Sequence, residues 1–151
     1  MGSGLREGWE IRKLGEVCEI YNGSAPLRSK KEYWEDGFIN WFTVNDIRKQ
    51  GRIIEYTNQK ISQEGFNNSS LKLLPINSIL LCCTASVGEF AITKIELTTN
   101  QQFNGLVIKN TNELLPEYLF YFSSTLKEEL LNLSGKATID FISMTKLKKI
   151  A

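Results

Sequence analysis

The chain contains no histidine, so the usual general base at neutral pH and the commonest metal ligand are both missing. Cysteine is scarce: there are three, an odd number, and Cys82 and Cys83 are adjacent, which fits neither a secreted disulfide framework nor the spacing of zinc ligands. They read as small apolar core residues of a cytoplasmic protein. Charge of one sign is lacking too, since 18 Lys+Arg against 17 Asp+Glu leaves +1. No global field draws such a chain to nucleic acid or membrane, and a polyanion site must be local. No run reaches the ~18 apolar residues of a membrane span, and the start lacks the basic, apolar, small-residue order of a signal peptide. There is no Gly-x-Gly-x-x-Gly loop, no phosphate loop ending in Gly-Lys-Ser/Thr, and no carboxylate pair in an apolar setting. These absences favour a binding module over an enzyme. A nucleophilic Cys82 or Cys83 would need a neighbour that lowers its thiol pKa, and none is evident.

What is present is a domain-sized chain of 151 residues, long enough to bury roughly two-thirds of its unfolded surface. Its organising stretch is Leu73 to Ile108, where apolar runs of strand length alternate with polar, glycine-bearing corners. Ile79 to Cys83 reads as a buried strand, bounded by Pro75, Asn77 and Ser78 before it and by Thr84, Ser86 and Gly88 after it. Phe90–Ile92 and Leu106–Ile108 repeat the pattern. Between them Thr98, Thr99, Asn100, Gln101 and Gln102 form an uncharged hydrogen-bonding run, which must face water, backbone or a polar ligand.

Upstream, Ile11, Leu14, Val17 and Cys18 fit a short amphipathic turn of helix weakened by Gly15. Asn22-Gly23-Ser24-Ala25-Pro26 is a turn, and Arg28, Lys30 and Lys31 follow on a loop that either touches phosphates or is simply solvated beside Glu32 and Glu35. Phe38 to Val44 has strand propensity. Trp34 and Trp41 suit either the core or a platform for unpaired bases. Asn45 and Asp46, at a strand end, are either a helix cap or readers of a ligand edge. Arg52 to Tyr56 is a further short strand, and Ser62 caps a turn that Gly65 stops. Pro116 to Leu133 is the clearest helix, with Leu119, Phe122, Leu126, Leu130 and Leu133 along one stripe and Gly135 as its stop. The end of the chain breaks off within an amphipathic pattern.

The order of these features resembles the target recognition domains of the specificity subunits of type I restriction–modification systems. The resemblance spans nearly the whole chain. It is carried by Gly8-Trp9 with Leu14-Gly15-Glu16-Val17, Gly23-Ser24-Ala25-Pro26, Tyr33-Trp34 before Ile39-Asn40-Trp41-Phe42, and Asn45-Asp46-Ile47. It continues through Ile61-Ser62, Leu74-Pro75 before Ile79-Leu80-Leu81, Ser86-Val87-Gly88, Thr99-Asn100-Gln101-Gln102, Pro116-Glu117-Tyr118-Leu119 and Ile142-Ser143 with Leu147 and Ile150. Ala25 departs from the threonine frequent in the family, and the family's proline-rich exit and spacer helix do not follow Ala151.

The resemblance implies an α+β fold, a coiled, β-helix-like body of short β-strands with helices packed at the C-terminal end. Residues 1–8 would be a tag or flexible N-terminus, 9–142 one recognition domain, and 143–151 the start of a truncated spacer or helical region. The implied function is non-catalytic recognition of double-stranded DNA, one half of a bipartite target, in the cytoplasm. Methyltransferase and restriction subunits are the implied partners, with a second recognition domain or a homodimer supplying the other half. S-adenosylmethionine, ATP and Mg would be used by those partner subunits and not bound by this chain. Base readout is expected from Thr43, Asn45, Asp46, Thr84, Ser86, Gln101, Gln102 and Asn104, because amides pair bidentately with adenine and hydroxyls or carboxylates take other edges. Phosphate contact is expected from Arg28, Lys30, Lys31, Lys94 and Lys136. A protein- or polar-ligand-interaction module, with Trp34 and Trp41 lining a groove, is the alternative. Another is a solitary specificity fragment competing with a full-length subunit.

Overall fold

The computed structural model describes residues 9–84, 86–133 and 136–147. The chain opens with β1 (Trp9–Lys13), α1 (Leu14–Val17) and β2 (Cys18–Asn22), then a 3-10 turn at Lys31–Tyr33. β3 (Ile39–Phe42), α2 (Val44–Gln50), β4 (Ile53–Ile54), β5 (Gln59–Ile61) and α3 (Gln63–Asn67) follow. The second half holds β6 (Ile79–Cys82), β7 (Phe90–Thr93), β8 (Thr98–Thr99) and β9 (Phe103–Ile108). It closes with α4 (Pro116–Ser123), α5 (Lys127–Leu131), α6 (Lys136–Ile139) and β10 (Ser143–Leu147). The α+β class and the packing of helices at the C-terminal end are as the sequence leads one to expect.

The strand singled out by the sequence lies at the middle. A five-stranded sheet runs β2-β9-β6-β7-β4, and a three-stranded sheet runs β5-β3-β8. Alternation along β6 produces the layers: Ile79 and Leu81 point to one face and Leu80 and Cys82 to the other. On the first face Leu114, Leu119, Leu126, Leu130 and Ile139 of the C-terminal helical region pack against Cys18, Ile20, Phe90, Ile92 and Leu106. On the second, Phe42 and Ile47 from β3 and α2 pack against Leu80, Ala91 and Phe103. Each fully buried Leu or Phe contributes about 1.5–3 kcal/mol relative to exposure, so both faces of this sheet are held apolar. That explains why β6 and β7 read as continuous apolar runs rather than alternating ones.

Four sequence expectations change. Trp9–Lys13 is a strand, and only Leu14–Val17 is helical, because β1 pairs antiparallel with β10 across the whole domain. Ser143–Leu147 is therefore a strand, at the place where a spacer or helical region is expected to start. The long helix is broken between α4 and α5: Ser123, Ser124 and Thr125 donate their hydroxyls back to the carbonyls of Leu119, Tyr121 and Phe122. Three successive hydroxyls compete with the backbone ladder and turn the chain, although Leu119, Leu126 and Leu130 still share the core. Ser62 does cap α3, its Oγ accepting the amide of Gly65 at 3.1 Å. Gly65 is not a stop but lies inside α3, where a Cβ would stand 2.6 Å from the carbonyl of Tyr33. The expectations for residues 1–8, for a stop at Gly135 and for residues 148–151 fall outside the described residues. Among the described residues no helix is long and apolar enough to cross a membrane.

Candidate nucleic-acid interface

One end of the two sheets gathers the polar corners. The turn Asn100–Gln102 joins β8 of the smaller sheet to β9 of the larger one, and backbone bonds tie its neighbours to it. The amide of Asn100 donates to Phe42 O at 3.1 Å, that of Ser24 to Thr99 O at 3.0 Å, and that of Cys83 to Gln102 O at 3.3 Å. Four loops, at residues 22–30, 43–46, 83–84 with 86–89, and 100–102, thus share one rim. Gly23 makes this possible, because a Cβ there would lie 1.9 Å from the Asn100 carbonyl oxygen.

The polar run 98–102 divides by role. Thr98 and Thr99 are buried and give their hydroxyls to the carbonyls of Asn40 and Phe42. Asn100 closes its own turn, its Oδ1 accepting the amide of Gln102 at 3.1 Å. Gln101 is exposed and Gln102 half-buried, and no side-chain hydrogen bond to a described residue engages either amide. Across from them Thr84 is exposed and Ser86 half-buried in the β6–β7 loop, which is closed by Gly88 N to Cys82 O at 3.2 Å and Glu89 N to Ser86 O at 3.0 Å. This rim therefore presents two amides and two hydroxyls outward.

The start of α2 adds a third group, and three of the expected base readers, Thr43, Asp46 and Asn104, are buried. Asp46 is 1% exposed, and its oxygens accept the amides of Thr43 at 3.1 Å and Asn58 at 2.8 Å. Of the two readings it takes the cap: it holds the helix start and is not displayed at the surface. Asn104 is likewise inside, 2% exposed, with its Nδ2 on Cys83 Sγ at 3.3 Å. It shares strand parity with Leu106, so it faces the helical layer and not the rim. Thr43 is also buried, and its Oγ1, like Asn104 Oδ1, has no hydrogen-bond partner among the described residues. Asn45 is exposed at the rim, with its Oδ1 accepting from Arg48 Nη1 at 3.1 Å.

The expected phosphate contacts scatter. Arg28, Lys30 and Lys31 are exposed on the rim loop and the turn that follows it. Lys94 is at the far end of the β6–β7 hairpin, bonded to Asn77 Oδ1 at 2.9 Å, because β7 runs away from the rim. It stands at the opposite end of that hairpin from the loop after β6. The Lys136 side chain falls outside the described residues. Two cations missed in the sequence stand closer: Arg48 beside Asn45, and Lys49, whose Nζ is 3.1 Å from Asn58 Oδ1. The signal was available, since Thr43-x-x-Asp46 is a capping pattern and Arg48-Lys49 is the basic last turn of the helix it opens, ended at Gly51.

The tryptophans are resolved as partners of this rim. Trp41 is 4% exposed and packs edge-on to Trp34 with centroids 5.0 Å apart. Their indole N–H groups donate to Ser24 O and Leu27 O, both at 3.0 Å. All three cysteines are free, with Cys18 and Cys82 buried and Cys83 half-buried. Burial pushes the Cys18 thiol up to about 12 and raises that of Cys83, the latter opposed by its bond from Asn104. Among the described residues no group of three or more Cys, Asp or Glu gathers as a metal site.

The sequence pattern of the family described as "Type I restriction modification DNA specificity domain" matches residues 6–151. The MjaIX specificity subunit of a type I restriction enzyme from Methanocaldococcus jannaschii is 33% identical over 97% of the chain. The EcoprrI specificity subunit from Escherichia coli is 34% identical over 96% of it. The chain spans about a third of the length of these relatives, 34% and 37%. In fold it is similar to the HsdS subunit from Thermoanaerobacter tengcongensis, with a TM-score of 0.73 at 22% identity over 97% of this chain and 35% of that one. With the family pattern covering nearly every residue, the chain belongs to the type I restriction–modification DNA specificity domains.

Proposed function

We propose that this chain reads a short run of double-stranded DNA, one half of a bipartite target, for a type I restriction–modification complex. One observation carries the reading. The four loops that meet at a single rim present Asn45, Thr84, Ser86, Gln101 and Gln102 outward, with Arg48, Lys49, Lys30 and Lys31 at its margin. Amides and hydroxyls suit base edges in the major groove, and the cations suit the flanking phosphates. Buried Asp46 and Asn104 hold the loops' shape instead of touching bases.

The reading assigns no chemistry to the chain itself. Methylation with S-adenosylmethionine and cleavage driven by ATP with Mg would belong to partner methyltransferase and restriction subunits. The other half-site would be read by a second recognition domain or a second copy of the chain, within the cytoplasm. With near-neutral net charge, binding by this chain alone is weak and strongly salt-dependent.

The test is selection of duplexes from a randomised DNA pool at low salt. Enrichment of one short contiguous motif, altered by Asn45→Ala or Gln102→Ala without loss of folding, is the expected outcome. A folded chain that retains DNA without enriching any motif would overturn the assignment of base readout to this rim.

A further inference from the structure

The geometry points to Arg28 as a reader of guanine, not a phosphate contact, an inference that rests on the DNA-reading function above. Its guanidinium carbon lies 3.6 Å from the ring centroid of Trp34 and 5.3 Å from that of Trp41. The two rings stand at 81° to one another, so the cation sits in a corner with an aromatic wall on two sides. Arg28 Nη2 donates to Gln59 Oε1, which fixes one prong of the fork. Gln59 pairs with Trp41 across the smaller sheet, at the end that carries the rim.

The loop beneath the cation is as well fixed as the cation. Trp41 Nε1 holds Ser24 O and Trp34 Nε1 holds Leu27 O, so the carbonyls on both sides of Pro26 are pinned to the same aromatic pair. The Ser24 amide bonds to Thr99 O, which places Arg28 on a loop anchored beside the 100–102 turn. A phosphate can be met by a mobile lysine's point charge, with no donor fixed in direction. A guanidinium lodged beside two tryptophans, with one prong on Gln59, has its remaining donors fixed in direction, as reading a base edge requires.

An arginine has five N–H donors in a rigid fork. One is on Gln59, and among the described residues Arg28 makes no ion pair with a carboxylate. The remaining donors suit the adjacent acceptors O6 and N7 that guanine alone presents in the major groove. Asn45, Gln101 and Gln102, on the same rim, suit adenine edges or adapt to others. Arg28 is therefore assigned one G·C pair at the border of the motif.

The test compares the motif selected by the full chain with that selected by Arg28→Lys, which keeps the charge and an aliphatic stem over Trp34. Equal thermal unfolding midpoints would show that the fold is intact. The expected result is that one guanine position of the wild-type motif loses its preference, by roughly ten- to a hundredfold, while the other positions and the salt dependence stay. Trp34→Phe, which keeps a ring but loses the N–H to Leu27, is expected to weaken the same position partly. An unchanged motif in Arg28→Lys, with Arg28→Gln lowering affinity equally for all sequences, would overturn the inference and return Arg28 to the phosphates, leaving DNA reading intact. A wild-type chain that selects no motif would overturn both.

Discussion

Asp46 accepts the backbone amide of Asn58 at 2.8 Å, tying the first turn of α2 to the segment that opens β5. The same carboxylate accepts the amide of Thr43 at 3.1 Å, so a single buried side chain fixes the entry to the helix that carries Asn45, Arg48 and Lys49. Removing it takes the partner from two amides, that of Thr43 in a buried setting and that of Asn58 in a half-buried one. Asp46→Ala is expected to cost about 2–4 kcal/mol, adding cap loss to one or two unsatisfied amides. Urea unfolding measures this. A change below about 1 kcal/mol would mean the carboxylate is not a structural group.

Gly23 offers a sharper case because the obstruction is backbone. Gly23→Ala would place a methyl 1.9 Å from Asn100 O, so the 22–30 loop must move away from the 100–102 turn. The expected loss is about 1–3 kcal/mol or more. A thermal midpoint equal to that of the unaltered chain would show that the two loops are not in contact.

The margin cations separate from the far one by salt dependence. Replacing Arg48 and Lys49 together by Gln is expected to lower the slope of log K against log salt by about one for each phosphate they contact. Lys94→Gln, at the opposite end of the hairpin, is expected to leave that slope unchanged. Equal effects from the two variants would place the DNA elsewhere on the molecule.

The Cys18 thiol, held protonated by burial up to about 12 from an ordinary 9.0, gives stability a definite pH dependence. Its contribution is complete below pH ~9, where the thiol is neutral folded or unfolded, and is lost as pH rises from 9 toward 12. The limiting slope from this one group is about 1.4 kcal/mol per pH unit. Cys18→Val, which suits a buried strand position, is expected to remove that part of the alkaline slope in urea unfolding at pH 9 to 10.5. An unaltered slope would mean that Cys18 ionises without unfolding.

Sequence legibility followed the range of the interaction. β6 and β7 are readable because both their faces are apolar and both their ends are turns. The Ser62 cap is readable because its acceptor and donor are three residues apart. The pairing of Trp9–Lys13 with Ser143–Leu147 is not, since each strand's partner is at the other end of the chain and neither segment shows a decisive period. Asn104 could have been assigned to the interior, because it alternates in step with Leu106 in an apolar strand. Asp46 was visible as one of two readings, and only its 1% exposure decides between them. Composition marks Lys94 as a cation but does not show the direction in which β7 carries it.

The β1–β10 ladder brings Trp9 opposite Leu147, so backbone arriving at one strand and leaving by the other passes through a doorway about 5 Å wide. Everything that touches a base would hang beyond that doorway. The two strands stay one ladder spacing apart however the loops between them vary, provided their antiparallel pairing is kept.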